Sequence, residues 1–273
     1  KAEGFPNTSV DLVTLDTQGK LDALPGLIDQ ALARNPTALV VLHHQALKIA
    51  MEKTKDVPII FGLTVWPQVV GLDNDPVKRK EHPNVTGAYG AFDEPDTRGC
   101  ALLFGVKPTK IGVLWTPEDP VSRVWKEKFL AFPPAAAMAV AAEFHSPDDL
   151  TTATQSLIDQ KATVIYLMAP LGREAASATK LAHEAKIPML GLSPEHLRAG
   201  AVFARIPRPR WIGFEVGRRV GKVLKDQKPE ALPYLLGPDF LNCVNPTASK
   251  LLGITVPGTL TRDGFESIPT SES

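Results

Sequence analysis

The stretch LTTATQSLIDQKATVIYLM, residues 150–168, contains a helical pattern followed directly by a strand pattern. Four apolar residues recur at helical spacing and share one face: Leu150, Ala153, Leu157 and Ile158. Asp148 stands just before them, where an aspartate can cap a helix. Thr163–Met168 is a short β-branched and apolar run, which is typical of a buried strand. A helix that leads into an apolar strand is the unit from which α/β proteins are built.

The end of this helix occurs twice in the chain. Leu27-Ile28-Asp29-Gln30 recurs as Leu157-Ile158-Asp159-Gln160, and Val57-Pro58 recurs as Ile187-Pro188. Both pairs are offset by 130 residues, from 27 to 157 and from 57 to 187. Between these anchors, each half runs through a helix, an apolar strand, a helix and a second strand. The repeat therefore predicts two similar α/β lobes in tandem.

The same repeat indicates what the first lobe lacks. The second half opens with the strand candidate Ile111–Trp115 and a helix around Val124–Leu130, and their counterparts fall before residue 1. We therefore expect the leading strand and helix of the first lobe to be absent from this chain. Either they lie upstream, or another segment takes their place in the sheet, because an open central strand would expose unpaired backbone.

Short apolar or β-branched runs alternate with amphipathic stretches along the whole chain. The further strand candidates are Val10–Leu15, Ala38–Leu42, Val57–Leu63, Ala137–Phe144, Ile187–Leu192, Ala201–Ile206 and Phe240–Val244. Pro209 begins a predicted helix with an apolar face formed by Ile212, Val216, Val220 and Val223. This alternation predicts an α/β fold with two Rossmann-like lobes built on parallel sheets.

The composition excludes several classes of protein. With 44% hydrophobic and 22% charged residues, the chain is too apolar to be disordered. The 30 Lys and Arg balance the 30 Asp and Glu, so the zero net charge gives no general attraction to nucleic acid or anionic membrane. No apolar run approaches the ~20 residues of a membrane helix. Cys100 and Cys243 are too few for a disulfide framework, and two buried thiols are favoured over one long-range disulfide.

Catalytic signatures are missing from the sequence. Gly217–Lys222 has the wrong spacing for a phosphate loop and lies inside a predicted helix. Gly191–Glu195 lacks the closing glycine of a nucleophile elbow. His43 and His44 are adjacent on an extended segment and point opposite ways, which argues against one metal bound by both. We therefore expect no catalytic residue, no metal and no cofactor.

Four stretches have a distinctive order and spacing that spans nearly the whole chain. They are Lys55–Phe61, Pro83–Gly87, Lys110–Trp115, and Val244–Ala248 continuing to Leu252–Pro257. Together they resemble the solute-binding proteins of bacterial ABC transporters, of the type that includes tryptophan- and tyrosine-binding members. The resemblance implies a type I periplasmic-binding-protein-like fold, in which two lobes close around a small solute. The first lobe would comprise residues 1–106 and 238–273, and the second residues 107–237.

The resemblance also implies a location and partners. Such a protein acts in the periplasm or outside the cell, and lipid anchoring through a segment outside this chain stays open. It would pass a small-molecule ligand to an ABC permease in the membrane, bind no nucleic acid and be a monomer. Two alternatives stay open: the ligand-sensing ectodomain of a receptor and, less favoured, an α/β enzyme that acts in the cleft.

Loops that follow parallel strands are the candidate ligand contacts, because strand carboxyl ends and helix N-termini face one crevice. The candidates are His43, His44, Gln45, Thr64, Trp66, Trp115, Thr116, Met168, Leu171, Ser193 and Arg205. Trp66 and Trp115 favour a ligand with a flat or apolar part. Arg205 is a candidate to receive a ligand carboxylate, with Arg208 and Arg210 as alternatives.

Two departures from the family pattern bear on the ligand. Trp66-Pro67 stands where amino-acid-binding relatives commonly have Asp-Pro, and Pro170-Leu171 stands where they have Asp-Asn. A captured amino acid needs a carboxylate or several acceptors for its ammonium group, because a buried unpaired charge is very costly. We therefore expect an aromatic or branched carboxylate rather than a free amino acid.

Overall fold

The computed structural model describes residues 10–91, 108–238, 240–256 and 265–267, in which helices and parallel strands alternate. The strands are β1 (Leu39–Leu42), β2 (Ile59–Val65), β3 (Val85–Gly90), β4 (Ile111–Trp115), β5 (Ala139–Glu143), β6 (Val164–Met168), β7 (Met189–Gly191), β8 (Phe203–Pro207), β9 (Leu235–Leu236), β10 (Phe240–Val244) and β11 (Phe265–Ser267). The helices are α1 (Leu24–Leu32), α2 (His44–Lys53), α3 (Pro120–Ala131), α4 (Pro133–Ala136), α5 (Leu150–Asp159), α6 (Ala175–Glu184), α7 (Pro194–Arg198), α8 (Pro209–Val223) and α9 (Pro246–Leu251). Short 3-10 helices cover Leu21–Ala23, Pro67–Val70, Lys78–Glu81, Pro147–Asp149 and Pro229–Ala231.

The chain divides into two compact units. Unit 1 lies within residues 1–91 and 207–239, and unit 2 lies within residues 92–206 and 240–273. The sheet of unit 1 has the order β1-β2-β3-β9, and its paired strands are parallel. Ile59 and Phe61 of β2 pack on one face of this sheet with α1 and α2. Ile60 points to the opposite face and packs against α8, because successive side chains of a strand alternate.

The sheet of unit 2 has the order β11-β10-β8-β7-β6-β4-β5. Its largest core cluster covers one face and is centred on fully buried residues: Leu114, Leu157, Ile165 and Leu167. Tyr166 points to the other face and contacts Phe129 of α3, with ring centroids 5.8 Å apart. Both faces of the sheet are covered, which is why β4 and β6 are buried at every position.

The division into units differs from the predicted one. The prediction assigned residues 107–237 to the second lobe and 238–273 to the first, but α8 and β9 belong to unit 1 and β10 to unit 2. The reason is packing: Ile212 and Val216 of α8 are buried against β2 and β3, β9 pairs with β3, and β10 lies beside β8. The chain therefore passes into unit 1 at Pro207 and back into unit 2 at Phe240.

Arg219 fastens α8 to the sheet of unit 1. Its Nε donates to Thr86 Oγ1 at 3.2 Å, its Nη2 to the Pro233 carbonyl at 2.7 Å, and its Nη1 to Glu215 Oε2 at 3.3 Å. The hydroxyl of Thr86 in turn donates to the Leu232 carbonyl at 2.8 Å. Arg219 is 5% exposed, so these bonds replace the water that the guanidinium loses on folding.

Most predicted strands are confirmed, and two, Ile111–Trp115 and Phe240–Val244, have the predicted bounds. The prediction for Val10–Leu15 is wrong, because this segment forms no regular structure. At the equivalent place of the 130-residue repeat, β5 pairs with β4. Unit 1 has no equivalent of β4 among its described residues, so Val10–Leu15 has no strand to pair with.

The prediction that Asp148 caps α5 is wrong, because the N-cap residue of α5 is Asp149 and no side chain caps this helix. Ser146 and Asp149 instead form the capping box of the preceding 3-10 helix, in which the Asp149 carboxylate accepts from the Ser146 main-chain N–H at 3.0 Å. The predicted apolar face of α5 is confirmed, with Leu150 and Leu157 fully buried. Asp148 takes no part in this cap.

Two findings bear on the predictions from composition. Within the described parts of the chain, no helix is both long enough and apolar enough to cross a membrane. Cys243 is fully buried in β10, whereas Cys100 lies outside the described residues.

Candidate functional site

In unit 1 the predicted ligand contacts lie where β1 and β2 end. These strands pair in parallel, with Leu42 opposite Gly62, so the residues that follow them share one edge of the sheet. His43 is exposed, His44 is buried at the start of α2, and their ring centroids are 4.2 Å apart. Gln45 is half-buried, and its Oε1 has no hydrogen-bond partner among the described residues.

The end of β2 is irregular. The register with β3 shifts between Phe61 and Thr64, which marks a β-bulge. Thr64 is buried, and its hydroxyl donates to the Gly62 carbonyl at 3.5 Å. Trp66 is 6% exposed and caps the 3-10 helix that begins at Pro67. The bulge therefore determines which side chains at the end of β2 are buried.

Backbone strain is concentrated at this edge. His43 has φ 78° and ψ 151°, Leu63 has φ 52°, and Trp66 has φ 49°, although none of them is glycine. The other described non-glycine residues with positive φ lie in turns, mostly just after helices, where such a conformation is common. Strained backbone costs about 1–3 kcal/mol per residue and clusters at functional sites. The strain thus marks the ends of β1 and β2 independently of the sequence prediction.

In unit 2, Trp115 and Met168 end the paired strands β4 and β6 and lie opposite each other. Both are buried, Met168 completely. Lys126 Nζ lies 3.8 Å from the centroid of the Trp115 ring, a cation–π contact that covers part of one ring face. Thr116 donates from its main-chain N–H to Ser122 Oγ at 2.9 Å and from its hydroxyl to Glu118 Oε2 at 2.5 Å.

A cluster that the sequence analysis missed lies beside Thr116. His145 Nδ1 lies 2.9 Å from Glu118 Oε1, and its Nε2 lies 3.0 Å from Glu143 Oε1. The hydrogen bond to Glu118 raises the pKa of His145. The pKa of Glu118 is lowered, first by the Thr116 hydroxyl and then by His145. Glu118 and His145 follow the neighbouring strands β4 and β5. A prediction that these two strands pair would therefore have placed the two loops side by side.

Ser193 and Leu171 follow β7 and β6. Ser193 caps α7, and its Oγ accepts from the His196 main-chain N–H at 3.2 Å. Leu171 is half-buried against the core of unit 2. His196, which the sequence analysis did not single out, is buried, and its Nδ1 accepts from the Leu192 N–H at 3.0 Å. Burial lowers the pKa of His196 to about 4, so a neutral imidazole holds the loop that carries Ser193.

Arg205 lies within β8, two residues before the end of that strand. Its guanidinium carbon is 4.4 Å from the centroid of the Phe240 ring on the neighbouring β10. Arg208 precedes α8 and Arg210 lies in its first turn, both in unit 1. Of the three arginines that the sequence analysis grouped, Arg205 thus belongs to unit 2 and the other two to unit 1.

The predicted contacts form two sets, one in each unit. Unit 1 holds those from His43 to Trp66, and unit 2 holds those from Trp115 to Arg205. In the described parts of the chain, no group of three or more His, Cys, Asp or Glu residues is arranged to hold a metal ion.

Three solved structures are similar to this chain over almost its full length. A conserved domain protein from Vibrio cholerae is 22% identical with a TM-score of 0.79, and the match covers 97% of this chain and 90% of that chain. An ABC domain from Streptococcus pneumonia in complex with L-Trp is 19% identical with a TM-score of 0.76, covering 95% and 90%. A ligand-free, open substrate-binding protein with adhesive properties from Clostridium difficile is 19% identical with a TM-score of 0.76, covering 98% and 90%.

At these identities the likeness shows the fold alone, and it confirms an α/β fold with parallel sheets of the type I periplasmic-binding-protein kind. No curated protein sequence matches the chain. A family model for ABC transporter substrate binding proteins matches residues 1–268, nearly the whole chain. Proteins of this family bind substrates in the periplasm or outside the cell and are not enzymes. The chain therefore belongs to the family of ABC transporter substrate-binding proteins.

Proposed function

We propose that this substrate-binding protein captures one small organic solute through the strand ends of both units. The observation that carries the proposal is the strained, non-glycine backbone at His43, Leu63 and Trp66, all at the carboxyl ends of paired parallel strands. Such strain persists only where the surrounding structure holds it, and ligand-binding loops are where it is commonly found. Trp115 and Met168 occupy the corresponding strand ends in unit 2.

We propose further that the solute is an aromatic or branched carboxylate rather than a free amino acid. The two acidic side chains that follow β4 are already engaged within unit 2. Each Glu118 oxygen already has a partner, the Thr116 hydroxyl for one and His145 for the other. Asp119 caps α3 by accepting from the Ser122 N–H at 2.8 Å. A ligand ammonium would therefore have to compete with these partners for Glu118 and Asp119, and the burial of an unpaired ammonium would be costly.

The first turn of α2 is a suitable partner for the solute's carboxylate. No side chain caps this ten-residue helix, as is also true of α1, α5, α6 and α8, and α2 begins directly after the strained residue that follows β1. Uncapped N–H groups at a helix N-terminus favour an anion. His43 precedes this turn at the end of β1, and Trp66 follows the end of the neighbouring strand β2. Anion recognition and an aromatic side chain would therefore lie at the same edge of the sheet.

The partner of the loaded protein in this proposal is an ABC permease in the membrane. We also propose that the protein acts as a monomer, with lipid anchoring through a segment outside this chain. Family membership supports the permease, because proteins of this family deliver substrates to ABC transporters. Size-exclusion chromatography with light scattering tests the monomer.

A calorimetric comparison of two ligands tests the site and the solute class. Indole-3-propionate and L-tryptophan differ only in the ammonium group, so we expect indole-3-propionate to bind more tightly. Trp66→Ala and Trp115→Ala should each weaken its binding by about tenfold or more, because each removes aromatic contact area. Trp211→Phe, in α8, is the matched control and should leave the affinity unchanged.

The two parts of the proposal fail in different ways. Unchanged affinity in both Trp→Ala variants, with the variants folded by circular dichroism, would remove these residues from the site. Tighter binding of L-tryptophan than of indole-3-propionate would leave the site in place and contradict the solute class.

A further inference from the structure

Unit 2 contains a cavity of about 860 Å³ on the face of its sheet that carries α6, α7 and α9. Its lining comes from α6, from the end of α7 with the turn that follows it, and from α9. Asn245 donates from Nδ2 to the Leu197 carbonyl at 2.7 Å, which fixes α9 beside α7. None of the predicted strand-end contacts lines this cavity. Its volume lies within the range of about 300–1,000 Å³ that is usual for small-molecule sites.

The floor of the cavity is largely apolar and rigidly built. Ala176, Ala199, Ala248 and Leu251 contribute to it, and Leu251 is 59% exposed although it is a large apolar side chain. The turn at Gly200 has φ 111°, and a Cβ there would lie 2.9 Å from Thr179 Oγ1. The Thr179 hydroxyl donates to the Ala199 carbonyl, which holds this turn against α6.

The lining is strongly basic. Arg173, Lys180, Lys186 and Arg198 contribute to it, against the single acidic residue Glu184. Arg198 also pairs with Glu195 at 3.0 Å, but both side chains are about half exposed, so the pair is weak and a bound anion can compete with it. Because the whole chain has no net charge, this concentration of positive charge is a local feature.

His183 adds a polar group to the lining. It is 9% exposed, and its Nε2 has no hydrogen-bond partner among the described residues. Burial, and secondarily Lys186, lowers the pKa of His183, so the ring is neutral at pH 7. A buried polar atom without a partner costs free energy that a bound molecule can return.

We propose that this cavity is a second binding site, for a small organic anion with an apolar body. The acid group would lie at the basic rim, and the body would cover the floor around Ala248 and Leu251. The site shares no lining residue with the proposed solute contacts.

Fluorescence titration with 8-anilinonaphthalene-1-sulfonate tests the proposal, since this probe joins a sulfonate to an apolar aromatic body. We expect saturable binding that weakens with salt. Ala176→Trp should weaken this class of binding by obstructing part of the cavity, because Ala176 is an exposed residue of its lining. Lys180→Glu should weaken it by about tenfold, since a nearby attractive charge becomes repulsive.

Matched controls separate the cavity from other surfaces. Ser177→Trp adds the same side chain at the next position of α6, outside the lining, and Lys161→Glu makes the same charge change elsewhere on unit 2. Both should bind the dye as the wild type does. Trp66→Ala and Trp115→Ala report separately on any dye that binds at the proposed solute site. Dye binding that is absent in the wild type, or that is unchanged in Ala176→Trp and Lys180→Glu, overturns the proposal. Loss of binding only in the Trp66 and Trp115 variants overturns it as well.

Discussion

At Gly87 the backbone of β3 runs so close to β2 that only a hydrogen atom fits. A Cβ at this position would lie 2.4 Å from both the carbonyl oxygen and the ring of Phe61. The preceding residues of the Asn-Val-Thr-Gly motif are structural too. Asn84 Nδ2 donates to the Val57 carbonyl at 3.1 Å, and Thr86 binds Arg219. These residues belong to Pro83–Gly87, one of the four stretches that resemble the family, and they stabilise the sheet of unit 1.

Gly87→Ala should lower the free energy of unfolding by about 3 kcal/mol, because the new methyl group meets backbone that cannot move aside. Gly213→Ala is the matched control, since nothing lies within 4 Å of a Cβ there and α8 is helical at that point. That change should raise the stability by about 0.5–1 kcal/mol. Urea unfolding of the two variants measures both effects. A Gly87→Ala variant as stable as the wild type would contradict the described contact between β2 and β3.

Single residues of the candidate site were predictable only where a strand pattern reached them. Trp66 and Trp115 follow apolar runs, so their positions at strand ends could be inferred from the sequence. The cation–π contact of Lys126 with Trp115 could not, because it depends on how the chain returns after Trp115. His145 was missed because its partners Glu118 and Glu143 come together only through the pairing of β4 with β5.

At the scale of elements, α8 is the helix that the structure reassigns, and Arg219 is its main polar attachment. Arg219→Met leaves Glu215, which is 7% exposed, without its buried cation and removes a donor from the Pro233 carbonyl. We expect the free energy of unfolding to fall by about 3 kcal/mol in chemical denaturation, because the buried Glu215 carboxylate then keeps only the partly exposed Arg218 as its cation and the Pro233 carbonyl loses its donor.

Arg218 supplies the matched control for this prediction. Arg218 also pairs with Glu215, at 3.1 Å, but 41% of its side chain is exposed. Arg218→Met should therefore cost less than about 1 kcal/mol. The double variant Arg219→Met with Glu215→Met should recover much of the loss. Equal losses in the Arg219→Met and Arg218→Met variants would mean that burial does not govern this network.

Elements were predictable where local pattern and packing agree. Ile111–Trp115 and Phe240–Val244 are continuous apolar or half-apolar runs, and their bounds follow from the sequence. Val85–Gly90 was missed as a strand because it contains two glycines, and glycine weakens the strand signal. Val10–Leu15 has a strand-like pattern but lacks a neighbour among the described residues, and a strand needs a partner to form.

For the whole molecule, the 130-residue repeat predicted two units, but their membership could not be read from it. The apolar face of α8 indicates that Ile212 and Val216 pack into a core, but it does not indicate which unit that core belongs to. Only the pairing of β9 with β3 and the burial of α8 against β2 and β3 assign residues 207–237 to unit 1. Local sequence patterns do not predict long-range packing of this kind.

The response of the whole molecule to acid depends on histidines with opposite shifts. Burial is the largest cause that lowers the pKa of His82, His183 and His196. As the pH falls, these histidines therefore become protonated in the unfolded chain at a higher pH than in the folded protein. Stability is therefore lost as the pH falls below about 6.5. His145 has the opposite sign, because its raised pKa contributes stability that is present below pH 6.5 and lost as the pH rises through its folded pKa.

His196 should account for the largest single part of the acid sensitivity. With a folded pKa of about 4 against 6.5 for the unfolded chain, it should reduce the free energy of unfolding by about 3 kcal/mol between pH 7 and pH 4. His196→Asn keeps an acceptor for the Leu192 N–H and cannot titrate, so urea unfolding across this range should show a shallower loss. His145→Asn should show a steeper loss, because it removes a group that stabilises the fold at low pH. Parallel curves for the wild type and His196→Asn would mean that the pKa of His196 is the same in the folded and unfolded protein, and would contradict its lowering by burial.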